Sequence, residues 1–150
     1  MCAQVHSTKI WQAAIGMSRR KSARIQRRVG GVDYRNIEED TLQNDAYRRV
    51  IYTKPNQFQN VLMSLEPHEK IPGEVHPHTV QFVRVESGHG RCIVGRGRER
   101  RELTLHDGIS VTIPNRLYHY FENTSDSEPL KMYVIYTPPE HTTDCLQQRE

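Results

Sequence analysis

The chain has 150 residues, enough for one domain with a real hydrophobic core and too few for two of ordinary size. Hydrophobic residues make up 35% and charged residues 26%, which excludes wholesale disorder, and no apolar run nears the roughly 18 residues of a membrane-spanning helix. The formal charge of +3 is unevenly spread: residues 1–32 carry seven Lys or Arg and no acid, whereas residues 33–150 carry 14 basic and 18 acidic side chains. The overall pI of 8.8 therefore describes a basic leader joined to a mildly acidic body.

The leader, residues 1–32, contains no uninterrupted apolar core of the signal-peptide kind, because Gln4, His6, Lys9 and Gln12 break it. Ile10, Ala14 and Met17 share a face if the segment is helical. Its Arg and Ser content without acids suits an organelle transit peptide, the cluster SRRKSARIQRR suits a nucleic-acid contact or nuclear import, and a solvated extension without a specific role explains both. Gly30-Gly31 breaks any helix and marks the boundary with the body, residues 33–150. Cys2, Cys92 and Cys145 are odd in number and contain no Cys-x-x-Cys pair. That pattern predicts neither a disulfide framework nor a cysteine zinc site, and it fits a reducing, cytoplasmic compartment, with an organelle as the alternative.

In the body, a short helix or turn is expected over Asp40–Tyr47. Strands are then expected at Arg49–Thr53, Asn60–Glu66, Thr79–Glu86, Gly90–Gly95, Glu99–Leu105, Ile109–Ile113, His119–Asn123 and Lys131–Thr137. Pro72-Gly73, Ser87-Gly88, Asp107-Gly108, Pro114-Asn115 and Ser125 to Pro129 punctuate them. Short strands at this spacing without helical periods predict an all-β sandwich or closed barrel.

Histidine placement carries the functional signal. His76 and His78 lie one residue apart in what reads as extended chain, and Glu74 precedes them with the same parity. In a strand all three would share one face. His119, 41 residues beyond His78, opens another expected strand. Nitrogen and oxygen ligands from neighbouring strands of a small barrel can converge on one ion; an exposed polar strand face is the plainer explanation.

Two further spacings resemble the signature motifs of the cupin superfamily. Gly108, Pro114, Arg116, His119 and Asn123 keep every spacing of the second motif, with Arg in place of its second Gly. Counting back from Gly88 gives a first motif Glu74-x-His76-x4-Gln81-x6-Gly88, with His68 at the opening Gly position. From Asn36 to His141 the chain resembles small microbial single-domain cupins of RmlC-like type, often labelled mannose-6-phosphate isomerase-like. The resemblance implies a single jelly-roll β-barrel and a divalent metal (Mn, Fe, Zn, Ni or Co) held by Glu74, His76, Gln81 and His119. His78 is then a fifth ligand or a neighbour; a His76, His78, His119 set is the competing choice.

With such an ion, isomerisation, decarboxylation or dioxygenation of a small oxygenated or anionic substrate is the expected chemistry. Metal or ligand binding without turnover is the alternative, as is an interaction protein whose leader contacts nucleic acid. His78 and Tyr120 are the candidate acid–base groups, Glu74 and Tyr118 further ones, and Phe82 and Phe121 candidate wall residues. Arg84 and Arg91 are candidates to hold an anionic substrate. The expected partners are a small molecule and a second copy of the chain, with nucleic acid only through the leader and no membrane. Cys92 is expected to be a small buried hydrophobe.

Overall fold

The structure, a computed structural model, describes residues 27–29 and 31–148. Residues 1–26, with the expected helical face, most of the basic cluster, Cys2 and His6, lie outside the described residues. The described part opens with an antiparallel hairpin of β1 (Arg27–Val29) and β2 (Val32–Tyr34), and Gly31 in the turn has φ +83°. Helix α1 spans Ile37–Gln43, starting earlier than the expected 40–47 because Asn36 caps it, its Oδ1 accepting from Glu39 N at 3.3 Å. Glu38, Glu39 and Asp40 fill the first turn, where the helix dipole favours acids.

Ten strands follow: β3 (Arg48–Lys54), β4 (Phe58–Leu65), β5 (Lys70–Glu74), β6 (Val80–Ser87), β7 (Gly90–Val94), β8 (Arg101–Leu105), β9 (Ser110–Ile113), β10 (His119–Asn123), β11 (Leu130–Thr137) and β12 (Leu146–Gln147). They form a four-stranded sheet, β5-β10-β7-β8, and a six-stranded sheet, β12-β3-β4-β11-β6-β9. One core cluster draws on both, with Val61, Met63, Met132 and Val134 from the larger sheet and Ile71, Cys92 and Phe121 from the smaller. This is a jelly-roll sandwich whose ladders do not close into a continuous barrel. All eight expected strands are present, although Glu99 belongs to a 3-10 turn, Gly97–Glu99, ahead of β8.

Strand β5 was hidden in the sequence by Pro72 and Gly73, which read as punctuation. A proline is tolerated there because β5 is an edge strand with one unpaired side. Along β6, Gln81, Val83 and Val85 are buried, so Phe82 and Arg84 point to the opposite face. Phe82 accordingly lies beside Tyr133, ring centroids 6.3 Å apart, outside the sandwich, while Phe121 is fully buried in the core. Burial pushes the free Cys92 thiol up to about 12, which leaves it inert as a nucleophile. Cys145 is disulfide-bonded, correcting the expectation of a chain without disulfides; its partner lies outside the described residues.

The motif positions have backbone reasons. Gly88 has φ +92°, and a side chain there would collide with the Pro129 carbonyl. His68 and Arg116 occupy positions where the motif pattern has glycine, and both keep the left-handed backbone, φ +62° and +66°. Asn123 is fully buried; its Nδ2 donates to the carbonyls of Leu65 (2.9 Å) and Glu128 (2.8 Å), and its Oδ1 accepts from Ser125 N (2.9 Å). It pins the end of β10 to β4 and to the following turn.

Two stability outcomes follow, read by chemical denaturation. His68→Gly and Arg116→Gly each raise stability by about 0.5–1 kcal/mol, because relief of the left-handed penalty exceeds the extra entropy of glycine. Asn123→Ala lowers it by about 2–3 kcal/mol, since it leaves buried carbonyls and an N–H unpaired.

Candidate metal centre

Strands β5 and β10 pair so that Glu74 and His119 are direct cross-strand partners, which sets their side chains next to each other on one face. A register shift follows immediately between His119 and Phe121. His76 reaches the same place from the connection after β5, and its carbonyl accepts from Arg116 N at 2.7 Å. The left-handed turn at Arg116 thereby fixes the loop that carries His76. Gln81 opens β6 on the opposite sheet, paired with Tyr136 of β11 and Ile113 of β9.

The three acid and imidazole groups converge. Glu74 Oε1 lies 3.2 Å from His76 Nε2 and 3.5 Å from His119 Nε2, and one ligand atom from each residue lies within 4.8 Å of the others. Each ring is held by its other nitrogen: His76 Nδ1 is 3.1 Å from Glu140 Oε1, and His119 Nδ1 is 3.0 Å from the Leu117 carbonyl. Both Nε2 atoms are buried and, despite their closeness to Glu74, make no contact with hydrogen-bond geometry. Gln81 Oε1 is likewise buried and unpaired, while its Nε2 donates to the Tyr136 hydroxyl at 3.2 Å.

Burial opposes ionisation of Glu74, but the two imidazoles outweigh it and hold the carboxyl at about 2. Burial also opposes protonation of His76, and Glu74 and Glu140 more than offset this, raising its pKa. His141 behaves oppositely. Burial, reinforced by the positive charge of Arg48, lowers it to about 4, so its ring is neutral with Nε2 unpaired. That ring stands edge-on to Tyr136, centroids 5.0 Å apart, and Tyr136 is buried with its hydroxyl pKa raised.

The donor set fits a divalent transition metal. Buried lone pairs without partners are costly and rare. Ligands about 2.0–2.2 Å from one ion stand roughly 3.0–3.5 Å apart in octahedral or tetrahedral arrangement, which matches the two carboxylate–imidazole separations. Two imidazoles, a carboxylate and an amide oxygen suit Mn, Fe, Co, Ni or Zn.

Of the residues expected at the site, Glu74, His76 and His119 come together, and Gln81 presents a bare buried oxygen from the facing sheet. His78 does not join them. Strand β5 ends at Glu74, Pro77 cannot donate to a ladder, and the chain bends so that His78 is exposed. Tyr120 follows His119 in an unbroken ladder with β7 and so points to the opposite face, donating to Glu122 Oε2 at 3.0 Å. Tyr118 lies against Gly73 with Arg96 stacked on its ring at 4.2 Å. Arg84 pairs with Glu86 (3.1 Å) and Arg91 with Glu122 (2.7 Å), so neither guanidinium is free to hold a substrate in the interior. Missed from sequence were Gln59, Tyr136, Glu140 and His141, of which only Tyr136 fell within an expected strand. The signal available was the acid and imidazole of Glu140-His141 directly after Pro138-Pro139.

Comparison with known proteins agrees with this architecture. Residues 61–136 match the family described as Cupin domain. The chain is 42% identical over 106 residues to the uncharacterized protein L612 of Acanthamoeba polyphaga mimivirus, covering 71% of this chain and 65% of that one. It is 36% identical over 108 residues to the uncharacterized protein YrkC of Bacillus subtilis, covering 71% and 57%. The match thus spans about three-fifths of the length of these curated relatives. Among solved structures, BH2720 of Bacillus halodurans is similar with a TM-score of 0.72 and 36% identity, covering 77% of this chain and 87% of that one. With a jelly roll, both signature stretches in place and a family match over more than half its length, the chain belongs to the cupin family.

Proposed function

We propose that this cupin binds one divalent transition-metal ion through Glu74, His76, His119 and Gln81, and uses it to transform a small oxygenated or anionic molecule. The observation that carries this reading is the cluster of Glu74, His76 and His119, whose ligand atoms lie within 4.8 Å of one another with both Nε2 atoms buried and without a hydrogen bond, beside the likewise buried Gln81 Oε1. A divalent cation would satisfy these donors together.

Bound there, the ion would supply Lewis-acid polarisation of a substrate oxygen or, as iron or manganese, a redox centre. The chain's own residues do the rest. Glu74 stays ionised across the physiological range and supplies the negative charge. Glu140 and the Leu117 carbonyl fix the imidazoles so that both Nε2 atoms face inward. The Tyr136 hydroxyl orients the Gln81 amide. His141, neutral and with a bare Nε2, is available to hydrogen-bond a substrate against the Tyr136 ring. Cys92, buried in the core with its thiol pKa raised, supplies no nucleophile. The same reading takes a homodimer as the assembly, for which the exposed edge strand β8 offers a surface.

Purified protein, stripped with chelator and then equilibrated with Mn, Fe, Co, Ni or Zn, is expected to retain about one ion per chain by elemental analysis. Retention below about 0.2 ion per chain for all five contradicts the reading. In the same assay His76→Ala and His119→Ala abolish retention, Gln81→Ala weakens it and His78→Ala leaves it unchanged. Loss of metal in His78→Ala with full retention in Gln81→Ala would replace this ligand set by the three-histidine one.

A further inference from the structure

The C-terminal strap does more than end the sheet. After β11, residues 138–141 cross back over Gln59, a fully buried side chain on β4. Gln59 uses every hydrogen-bonding position of its amide. Its Oε1 accepts from the backbone N–H of Glu140 (3.3 Å) and His141 (2.9 Å), and its Nε2 donates to the His141 carbonyl (2.8 Å) and to Thr53 Oγ1 (3.1 Å). A buried amide thus serves the strap as a neighbouring strand would.

The backbone so fixed delivers the Glu140 carboxylate to a definite place. Its Oε2 accepts from Thr79 Oγ1 at 2.9 Å, and its Oε1 lies 3.1 Å from His76 Nδ1. Glu140 is not one of the three residues whose ligand atoms cluster; it holds the opposite nitrogen of the His76 ring. An Nδ1–H donated to Glu140 leaves the lone pair on Nε2, the atom that faces Glu74. A carboxylate behind an imidazole in this way fixes its tautomer and raises its basicity as a ligand.

We propose that Glu140 is a positioning residue for the metal centre, and that its delivery by the strap makes strap docking and metal binding one coupled event. The inference rests on the metal-binding reading above. Coupling of this kind is reciprocal: a docked strap tightens the ion, and a bound ion tightens the strap to the same extent. His119 has no such switchable support, since its Nδ1 is held by the Leu117 carbonyl within its own loop. The two histidines would therefore differ, one held permanently and one held only while residues 138–141 are in place.

The test is titration of the chelator-stripped full chain with cobalt(II), followed by its visible spectrum, in wild type, Glu140→Ala, Glu140→Gln and Thr79→Val. Glu140→Ala is expected to weaken cobalt binding by about 10- to 100-fold. Glu140→Gln, which keeps an acceptor oxygen, should fall between it and wild type. Thr79→Val, which removes only the bond that steers the carboxylate, should show a smaller loss. Hydrogen exchange at residues 140–142 should slow on cobalt addition in wild type and change less in Glu140→Ala. A merely structural role would lower the melting temperature of the metal-free variant and leave the affinity of its folded fraction unchanged. Wild-type affinity in Glu140→Ala overturns this inference alone, whereas a wild-type protein that binds no cobalt overturns the metal reading with it.

Discussion

Two imidazoles inside an apolar sandwich, each tied at Nδ1 and bare at Nε2, are the constraint on which the rest of this structure depends. Hydrogen-bonding atoms buried without partners destabilise a fold by about 1–3 kcal/mol each. Here the two nitrogens lie with an ionised carboxylate in one cluster, and the facing sheet contributes the buried Gln81 oxygen. A shared cation, as proposed, would satisfy all of them at once. The rings are held from behind by the Leu117 carbonyl and the Glu140 carboxylate, which turn both Nε2 atoms towards Glu74.

The jelly roll brings these groups together from distant parts of the chain. Pairing of β5 with β10 joins Glu74 to His119, the positive-φ turn at Arg116 holds the loop of His76, and the opposite sheet contributes Gln81 and Tyr136. The strap then closes the arrangement by way of Gln59. Outward-facing groups of the same strands have different work: Tyr120, Glu122 and Arg91 form a polar cluster on the outside of the smaller sheet.

Much of this was legible in the sequence, and the limits have physical causes. Strands announced by β-branched and aromatic runs between turn residues were found with their ends slightly displaced. Strand β5 was missed because an edge strand can carry Pro72 and Gly73 without penalty. The motif spacing selected Glu74, His76, Gln81 and His119 although simple parity favoured His78. Parity failed there because Pro77 takes the chain out of the ladder before His78. Parity was also the reason Tyr120 could not share a face with its neighbour His119. The arginines at the two motif strands read as substrate-binding groups, but local acids, Glu86, Glu102 and Glu122, claim them. Gln59 and Glu140 were illegible: the contacts that join the strap to Gln59 and Thr79 span 61 to 82 residues of sequence, and no local pattern encodes such contacts.

The central claim is that one ion is held by two imidazoles together with carboxylate and amide oxygens. X-ray absorption fine structure at the metal edge of the reconstituted protein tests it most directly. The account predicts two imidazole nitrogens and oxygen ligands at about 2.0–2.2 Å. A first shell with three imidazoles, with sulfur, or with water alone would contradict it.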